Sequence, residues 1–245
     1  MISRIGIVGF GRFGKLAAKY LKRDFKVLVT DLEDKQKEAK EIGVEYVMLN
    51  EVCSCDVVLL CVPISSLEGV LREIRNLLKE GCLVIDVCSV KEIPCRLMKE
   101  ILPENVEILG SHPLFGPDSA SESLLGRKIV LCPIRISEES LSKVKRFLTS
   151  KGLKIIQTTP VEHDMQIAKS LILTHFIGRA LLDIKVSEQE IDTLGYRRLL
   201  EILETVKHDT WQLFIDMNRY NRFSSKVRKS LIEALEKLDK MIEGA

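Results

Sequence analysis

The sequence predicts an α/β chain, with a doubly wound parallel sheet in its amino-terminal half and an all-helical half behind it. Three observations predict it. Apolar runs of strand length alternate with amphipathic stretches as far as residue 159. A glycine-rich turn joins the first strand run to the first helical run, and from Pro160 onward the strand runs cease and helical periodicity takes over. The predicted division is therefore 1–159 and 160–245, and a chain of 245 residues is long enough for each half to bury a core.

Arg4 to Val8 reads RIGIV, a buried-strand pattern. It runs directly into GFGRFG, Gly9 to Gly14, with the helical pattern KLAAKYLKR behind it. Strand, glycine-rich turn and helix in that order form the Rossmann-type dinucleotide fingerprint. Gly9 permits the tight turn, Gly11 lets the backbone approach a pyrophosphate, and Gly14 lets helix pack on strand. Gly9, Phe10, Gly11, Arg12, Phe13 and Gly14 are thus candidate cofactor contacts, with the first amides of the helix facing negative charge. A second strand, Lys26 to Thr30, ends at Asp31, at the distance past the fingerprint that the motif expects. A carboxylate there accepts from both ribose hydroxyls and repels a 2′-phosphate, which predicts NAD; Arg12 can pair with a phosphate, which leaves NADP open.

Val57 to Val62, VVLLCV, is a continuous apolar run of the kind found in a strand covered on both faces, and it ends at Pro63. Ser65 is expected to cap a helix carrying Leu67, Leu71, Ile74 and Leu78 that stops near Gly81. Further strands are expected at Leu83 to Val87, Val106 to Leu109, Ile129 to Leu131 and Lys154 to Ile156. In doubly wound sheets ligands bind at the carboxyl ends of strands. That rule selects three loops, Gly9 to Gly14, Cys61 to Ser66 and Cys88 to Lys91, and makes Cys61 and Pro63 candidate cofactor contacts.

In the helical half, Val161 to Val186 is apolar around most of a helix, which implies burial on several sides and packing against a second subunit, a homodimer. His163 and His175 stand twelve residues apart on it, too far to share a ligand, and His163 between Glu162 and Asp164 reads as part of the helix start. The final helix, Phe223 to Ile242, places Val227, Leu231, Leu235, Leu238 and Ile242 on one face in a structural role.

Composition narrows the function. Apolar residues at 46% and charged residues at 29% exclude a disordered chain, and no apolar run approaches the roughly 20 residues of a membrane helix. A net charge of +2, with lysines dispersed among glutamates, speaks for a small-molecule ligand instead of nucleic acid. The seven cysteines form no CxxC pair, which predicts a reducing cytoplasm and no metal; Cys53 and Cys55 lie in a polar stretch that leaves their exposure open. A strand pattern close behind Met1 predicts no signal or transit peptide.

The chemistry gathers at two loops. After the Leu83 strand come Asp86, Cys88, Ser89 and Lys91; the Ser89 hydroxyl can orient a substrate hydroxyl or cap the next helix, and Lys91 can bear on a pocket's charge or lie solvated. Gly110 to Pro117 reads GSHPLFGP, which contains Ser111 and His112. Its two prolines and two glycines predict a rigid, non-repetitive loop. Neutral imidazole can take a proton from an alcohol as hydride leaves, so His112 is the candidate base.

With these residues in view, GFGRFG, DVCSVKEIP, GSHPLFGP, EHD and THFIGRAL together resemble the prephenate and arogenate dehydrogenases of tyrosine biosynthesis, most of all the arogenate-dehydrogenase branch. The likeness runs from about residue 4 to about residue 221, and the HPLFGP segment is its most specific part. The resemblance implies an NAD(P)-dependent oxidative decarboxylation of a cyclohexadienol bearing a carboxylate, with His112 as the base for the ring hydroxyl and Ser89 positioning that hydroxyl. It also points to Ser111 and Lys91 as pocket residues. Many members carry an arginine for the substrate carboxylate in a phenylalanine-aspartate-threonine-arginine context, whereas Gly195 to Glu201 reads GYRRLLE here. Arg179, Arg197 and Arg198 are the substitutes, Arg179 first because it belongs to THFIGRAL. A reductase of imines or β-hydroxy acids shares this domain plan but has no reason to carry GSHPLFGP. A dinucleotide-sensing module without catalysis would make His112 dispensable.

Overall fold

The computed structural model describes residues 2–244, which divide into two compact units, 2–161 and 162–244. In the first, strands and helices follow one another as β1 (Arg4–Val8), α1 (Arg12–Leu21), β2 (Lys26–Thr30), α2 (Gln36–Ile42), β3 (Glu45–Tyr46), α3 (Leu49–Cys53), β4 (Val57–Leu60), α4 (Ile64–Ile74), β5 (Leu83–Asp86) and α5 (Glu92–Ile101). Then come β6 (Glu107–Pro113), α6 (Pro117–Ala120), β7 (Lys128–Arg135), α7 (Glu138–Ser150) and β8 (Lys154–Gln157). The eight strands form one sheet in the order β3-β2-β1-β4-β5-β6-β7-β8.

The predicted architecture is present, with one correction: the sheet is mixed. β1 to β6 are parallel, but β7 pairs antiparallel with β6, and β8 is parallel to β7. Right-handed crossovers put α1 and α2 on one face and α4 and α5 on the other. The reversal at β7 returns α7 to the face of α1, where Phe147 meets Phe25 edge-on at 5.0 Å. Ser137 starts α7 by accepting a hydrogen bond from Ser140 N at 3.2 Å, with Glu138 and Glu139 in the first turn to complement the helix dipole.

Several boundaries differ from expectation for identifiable reasons. The run from Val57 leaves the sheet at Leu60: Cys61 N still donates to Val8 O at 2.8 Å, the last bond of the ladder to β1, and the chain then turns toward Pro63. Pro63, and not Ser65, occupies the cap of α4, where its missing N–H costs nothing, and that helix ends at Ile74 instead of near Gly81. Cys53 and Cys55 are both fully buried despite their polar surroundings.

The boundary falls inside α8 (Pro160–Ile167), and the second unit continues with a π-helical segment (Ala168–Ile172), α9 (Leu173–Asp183), α10 (Leu194–Val206), α11 (Trp211–Arg219) and α12 (Ser224–Glu243). The continuous helix expected over Val161 to Val186 is thus interrupted by a π turn and ends at Asp183. Thr193 and Thr210 cap α10 and α11 by accepting from Tyr196 N and Leu213 N. On α12 the apolar face is exposed at Leu235, Leu238, Met241 and Ile242. No helix among the described residues is long and apolar enough to cross a membrane.

Candidate active site

Register gathers the site. Val8 lies opposite Leu60, Leu60 opposite Asp86, and Asp86 opposite Gly110, so the turns after β1, β4 and β5 open at one carboxyl edge beside the last residues of β6. Neighbouring strands are about 4.8 Å apart, so the row from β1 to β6 spans about 14 Å. Gly9, Cys61, Ser89 and His112 all belong to that edge.

At its β1 end the glycines behave as the fingerprint requires. Gly9 has φ of +93°, and a Cβ there would lie 2.5 Å from Cys61 O; a Cβ on Gly14 would lie 2.2 Å from Gly9 O, so the start of α1 can pack on the turn only without side chains. A Cβ on Gly11 would meet nothing within 4 Å, and this open approach to the first turn of α1 fits a pyrophosphate. Asp31 Oδ2 accepts from Phe10 N at 2.5 Å and Oδ1 from Glu33 N at 3.1 Å, which fixes the carboxylate at the end of β2 with lone pairs left for hydroxyl donors. These residues fit a dinucleotide. The Phe10 and Phe13 side chains instead pack into the core, leaving only their backbone at the turn. Arg12, on the surface, makes a two-pronged ion pair with Asp118 at 2.7 and 2.8 Å.

At the β6 end the largest correction concerns GSHPLFGP. Gly110 to Pro113 is not a loop but the continuation of β6, held by β7 in a register that places His112 opposite Val130. A Cβ on Gly110 would come within 2.5 Å of Cys95 Sγ on α5, so Gly110 and, two residues on, His112 face the α5 side of the sheet. His112 is 5% exposed.

Lys91 requires a second correction. It is neither solvated nor open to a pocket: at 0% exposure its ammonium is paired with Asp86 and donates to Ser111 O at 2.6 Å. Asp86 also accepts from Cys88 N at 3.0 Å and Ser111 N at 3.3 Å, while Ser111 Oγ donates to Asp86 O at 2.6 Å. Burial alone would favour loss of the lysine proton, but Asp86 outweighs it and holds the ammonium above the ordinary lysine value. The pair ties the end of β5 to β6 one residue before His112. Ser111, expected in the pocket, is buried in the same network.

Ser89 does not cap a helix, because α5 begins at Glu92 with Lys91 in the cap position. Its Oγ is buried and has no hydrogen-bond partner among the described residues. Burial pushes the Cys61 and Cys88 thiols up, so neither serves as a thiolate at neutral pH.

In the second unit, Arg179 is engaged and not solvated. Its Nη2 donates to Asp209 O, and its guanidinium carbon lies 5.4 Å from the Trp211 ring and 5.9 Å from the Phe214 ring. His175, one turn earlier on α9, has Nε2 3.7 Å from Asp209 Oδ2, while its Nδ1 is buried without a partner among the described residues. Burial, aided by Arg179 and opposed by Asp209, lowers its pKa and keeps the imidazole neutral. Arg197 is held by Asp192 at 2.8 Å and Arg198 is exposed. His163 stands near the start of α8, buried, with Nδ1 2.7 Å from Asp164 Oδ1. Sequence reasoning named Asp86 and His175 but gave neither a role. The apolar surroundings of Asp86 at the end of LVID were the available signal, since a carboxylate there must find a buried cation.

Comparison with known proteins agrees with this geometry. Residues 17–157 match a sequence profile described as prephenate dehydrogenase, nucleotide-binding domain, and residues 180–245 one described as TYRAAT1-like, C-terminal domain. Arogenate dehydrogenase 2, chloroplastic, of Arabidopsis thaliana is 34% identical over 98% of this chain and 68% of its own length. The probable arogenate/prephenate dehydrogenase of Methanocaldococcus jannaschii is 31% identical over 99% of this chain and 57% of its own. The fold is that of the A. aeolicus prephenate dehydrogenase solved with hydroxyphenyl propionate and NAD+, with a TM-score of 0.79 and 24% identity over 99% of this chain and 91% of that one.

Proposed function

The chain belongs to the prephenate and arogenate dehydrogenase family, and we propose that it catalyses the NAD-dependent oxidative decarboxylation of prephenate or arogenate. The observation that carries the reading is the buried, unpartnered Ser89 Oγ at the edge where β6 presents His112. A buried hydroxyl without a partner is uncommon in a native protein and is expected where a ligand completes it.

Gly9, Gly11, Gly14 and Asp31 hold the dinucleotide, with Cys61 and Pro63 lining the next turn of the edge. NAD, when bound, supplies the hydride acceptor. Ser89 orients the ring hydroxyl of the substrate, and neutral His112 takes its proton as the carbon–hydrogen bond breaks. The carbon–carboxylate bond then breaks, its electron pair enters the ring, and carbon dioxide leaves an aromatic phenol. The proton that completes the phenol can return from His112.

Steady-state assays with both substrates and both cofactors test this. Reduced NAD is expected to accumulate with at least one of the two substrates, and no turnover with either would overturn the proposal. Asp31→Ser removes a charge-assisted contact of about 1.5–3 kcal/mol. The ratio of kcat/KM for NAD over NADP should therefore fall roughly ten- to a hundredfold. An unchanged ratio would mean that the ribose is read elsewhere.

The helical half is also proposed to join two copies of the chain, and the reducing cytoplasm is the compartment that suits seven free cysteines. Support for the dimer comes from exposed apolar side chains in that half, Ile184 at 70%, Met241 at 60% and Ile242 at 77%. Sedimentation at micromolar concentration should give a dimer of the 27.8 kDa chain, and a monomer there would exclude it.

A further inference from the structure

The face of the sheet that carries α1 and α7 is incompletely covered. α4 and α5, which connect β4, β5 and β6, cross on the opposite face, so on this one the middle strands are covered by side chains reaching from α1 and α7 and from the connection between β6 and β7, Phe115 and Leu124 among them. Between them lies a cavity with about 180 Å³ of free space, floored by Val57, Ile85 and Leu109 and walled by Leu16, Val144 and Phe147. On the α1 and α7 side it is bordered by the Phe25–Phe147 contact, by Tyr20 Oη donating to Ala120 O at 2.8 Å, and by the Lys151–Asp24 ion pair at 2.6 Å, and it stays partly open to the surface. Close-packed cores carry few voids larger than a water molecule.

The lining decides what can enter. Water needs two to four polar partners to occupy an interior site. Here the Ser111 hydroxyl donates to Asp86 O, and the ammonium groups of Lys143 and Lys151 are paired with Glu139 and Asp24, so those lysines contribute their stems. A charged ligand would be desolvated without compensation, whereas an apolar cavity of roughly 150 Å³ is known to stay dry and admit benzene or xenon. The apolar lining and the size of the free space therefore select one class of occupant.

We propose that this cavity is a binding site for a small uncharged hydrophobic molecule the size of one aromatic ring. It lies on the face of the sheet opposite His112 and reaches the carboxyl edge through Phe13, Val87 and Phe115. Leu109, Ser111 and Pro113 line it from β6, the strand whose opposite face carries His112, so an occupant packs directly against the support of that histidine.

Benzene is the probe, titrated into the full chain and followed by calorimetry, with xenon shifts of the Leu109 and Leu131 methyl resonances as a second readout. Saturable one-to-one binding is expected. Ala17→Leu, which adds a branched side chain from α1 into the space, should weaken benzene at least tenfold, and Val144→Phe should do the same from α7. No saturable binding by the unmodified chain, or benzene affinity unchanged in a folded form of either variant, would overturn the proposal. If one variant fails to fold, the other and the unmodified chain still decide it, and neither readout requires turnover.

Discussion

His112→Ala is expected to lower turnover by roughly 10²- to 10⁴-fold, the contribution typical of a positioned general base. His112 is held in the β6–β7 ladder opposite Val130, two residues past the last β5 pairing at Gly110, so the substitution removes the ring without releasing the backbone that carries it. Cofactor affinity should survive, because the residues proposed to hold the dinucleotide lie at the β1 and β4 end of the edge. His112→Asn provides the control: it keeps a hydrogen-bonding side chain in the same place but cannot accept the proton, and it should be as slow as the alanine variant. Near-normal turnover by a folded variant would remove His112 from the mechanism.

Breaking the Asp86–Lys91 pair should have the largest effect on stability. Lys91→Met leaves a carboxylate at 0% exposure with its cation gone, a change that costs about 3–5 kcal/mol when one partner of a buried pair is removed. Denaturant unfolding should record it as a lower midpoint, and Asp86→Asn combined with Lys91→Met should recover part of the loss by removing the stranded charge. The pH dependence follows from the direction of the lysine shift. Its folded value is raised above the ordinary 10.5, so the contribution is complete at neutral pH and is lost only as pH climbs from 10.5 through the raised value. A single variant as stable as the unmodified chain would mean that water or another group replaces the ammonium. Because Ser111 O accepts from Lys91 one residue before His112, the variant should also lower kcat more than it raises KM.

Much of the nucleotide half was legible without coordinates. The strands Arg4–Val8 and Lys26–Thr30 have their predicted limits, and the glycine spacing anticipated the turn because the steric demands at Gly9 and Gly14 come from a few residues around the same turn and the adjacent strand. The site was legible less evenly. Ser89 and His112 stand at the edge the strand order implied, but the prolines and glycines around His112 argued for a loop. Pro113 is admitted to the strand because β5 pairs with β6 only as far as Gly110 and Leu114 N, not residue 113, donates to β7, so its missing N–H breaks no ladder bond.

By itself, then, the sequence determined which segments are strands and helices, where the dinucleotide turn lies and which residues end at the carboxyl edge, since periodicity and turn chemistry act over a few residues. Only the tertiary structure decided that GSHP is strand, that the sheet turns antiparallel at β7, that Lys91 is buried against Asp86, and that a cavity opens beneath α1 and α7. Each depends on partners brought together from distant parts of the chain: residues 128–135 supply the ladder that extends β6, and the fold places Ser111 O where the Lys91 ammonium needs an acceptor. Local pattern carries no record of such partners, because pairing, desolvation and coverage are settled only when the sheet closes around them.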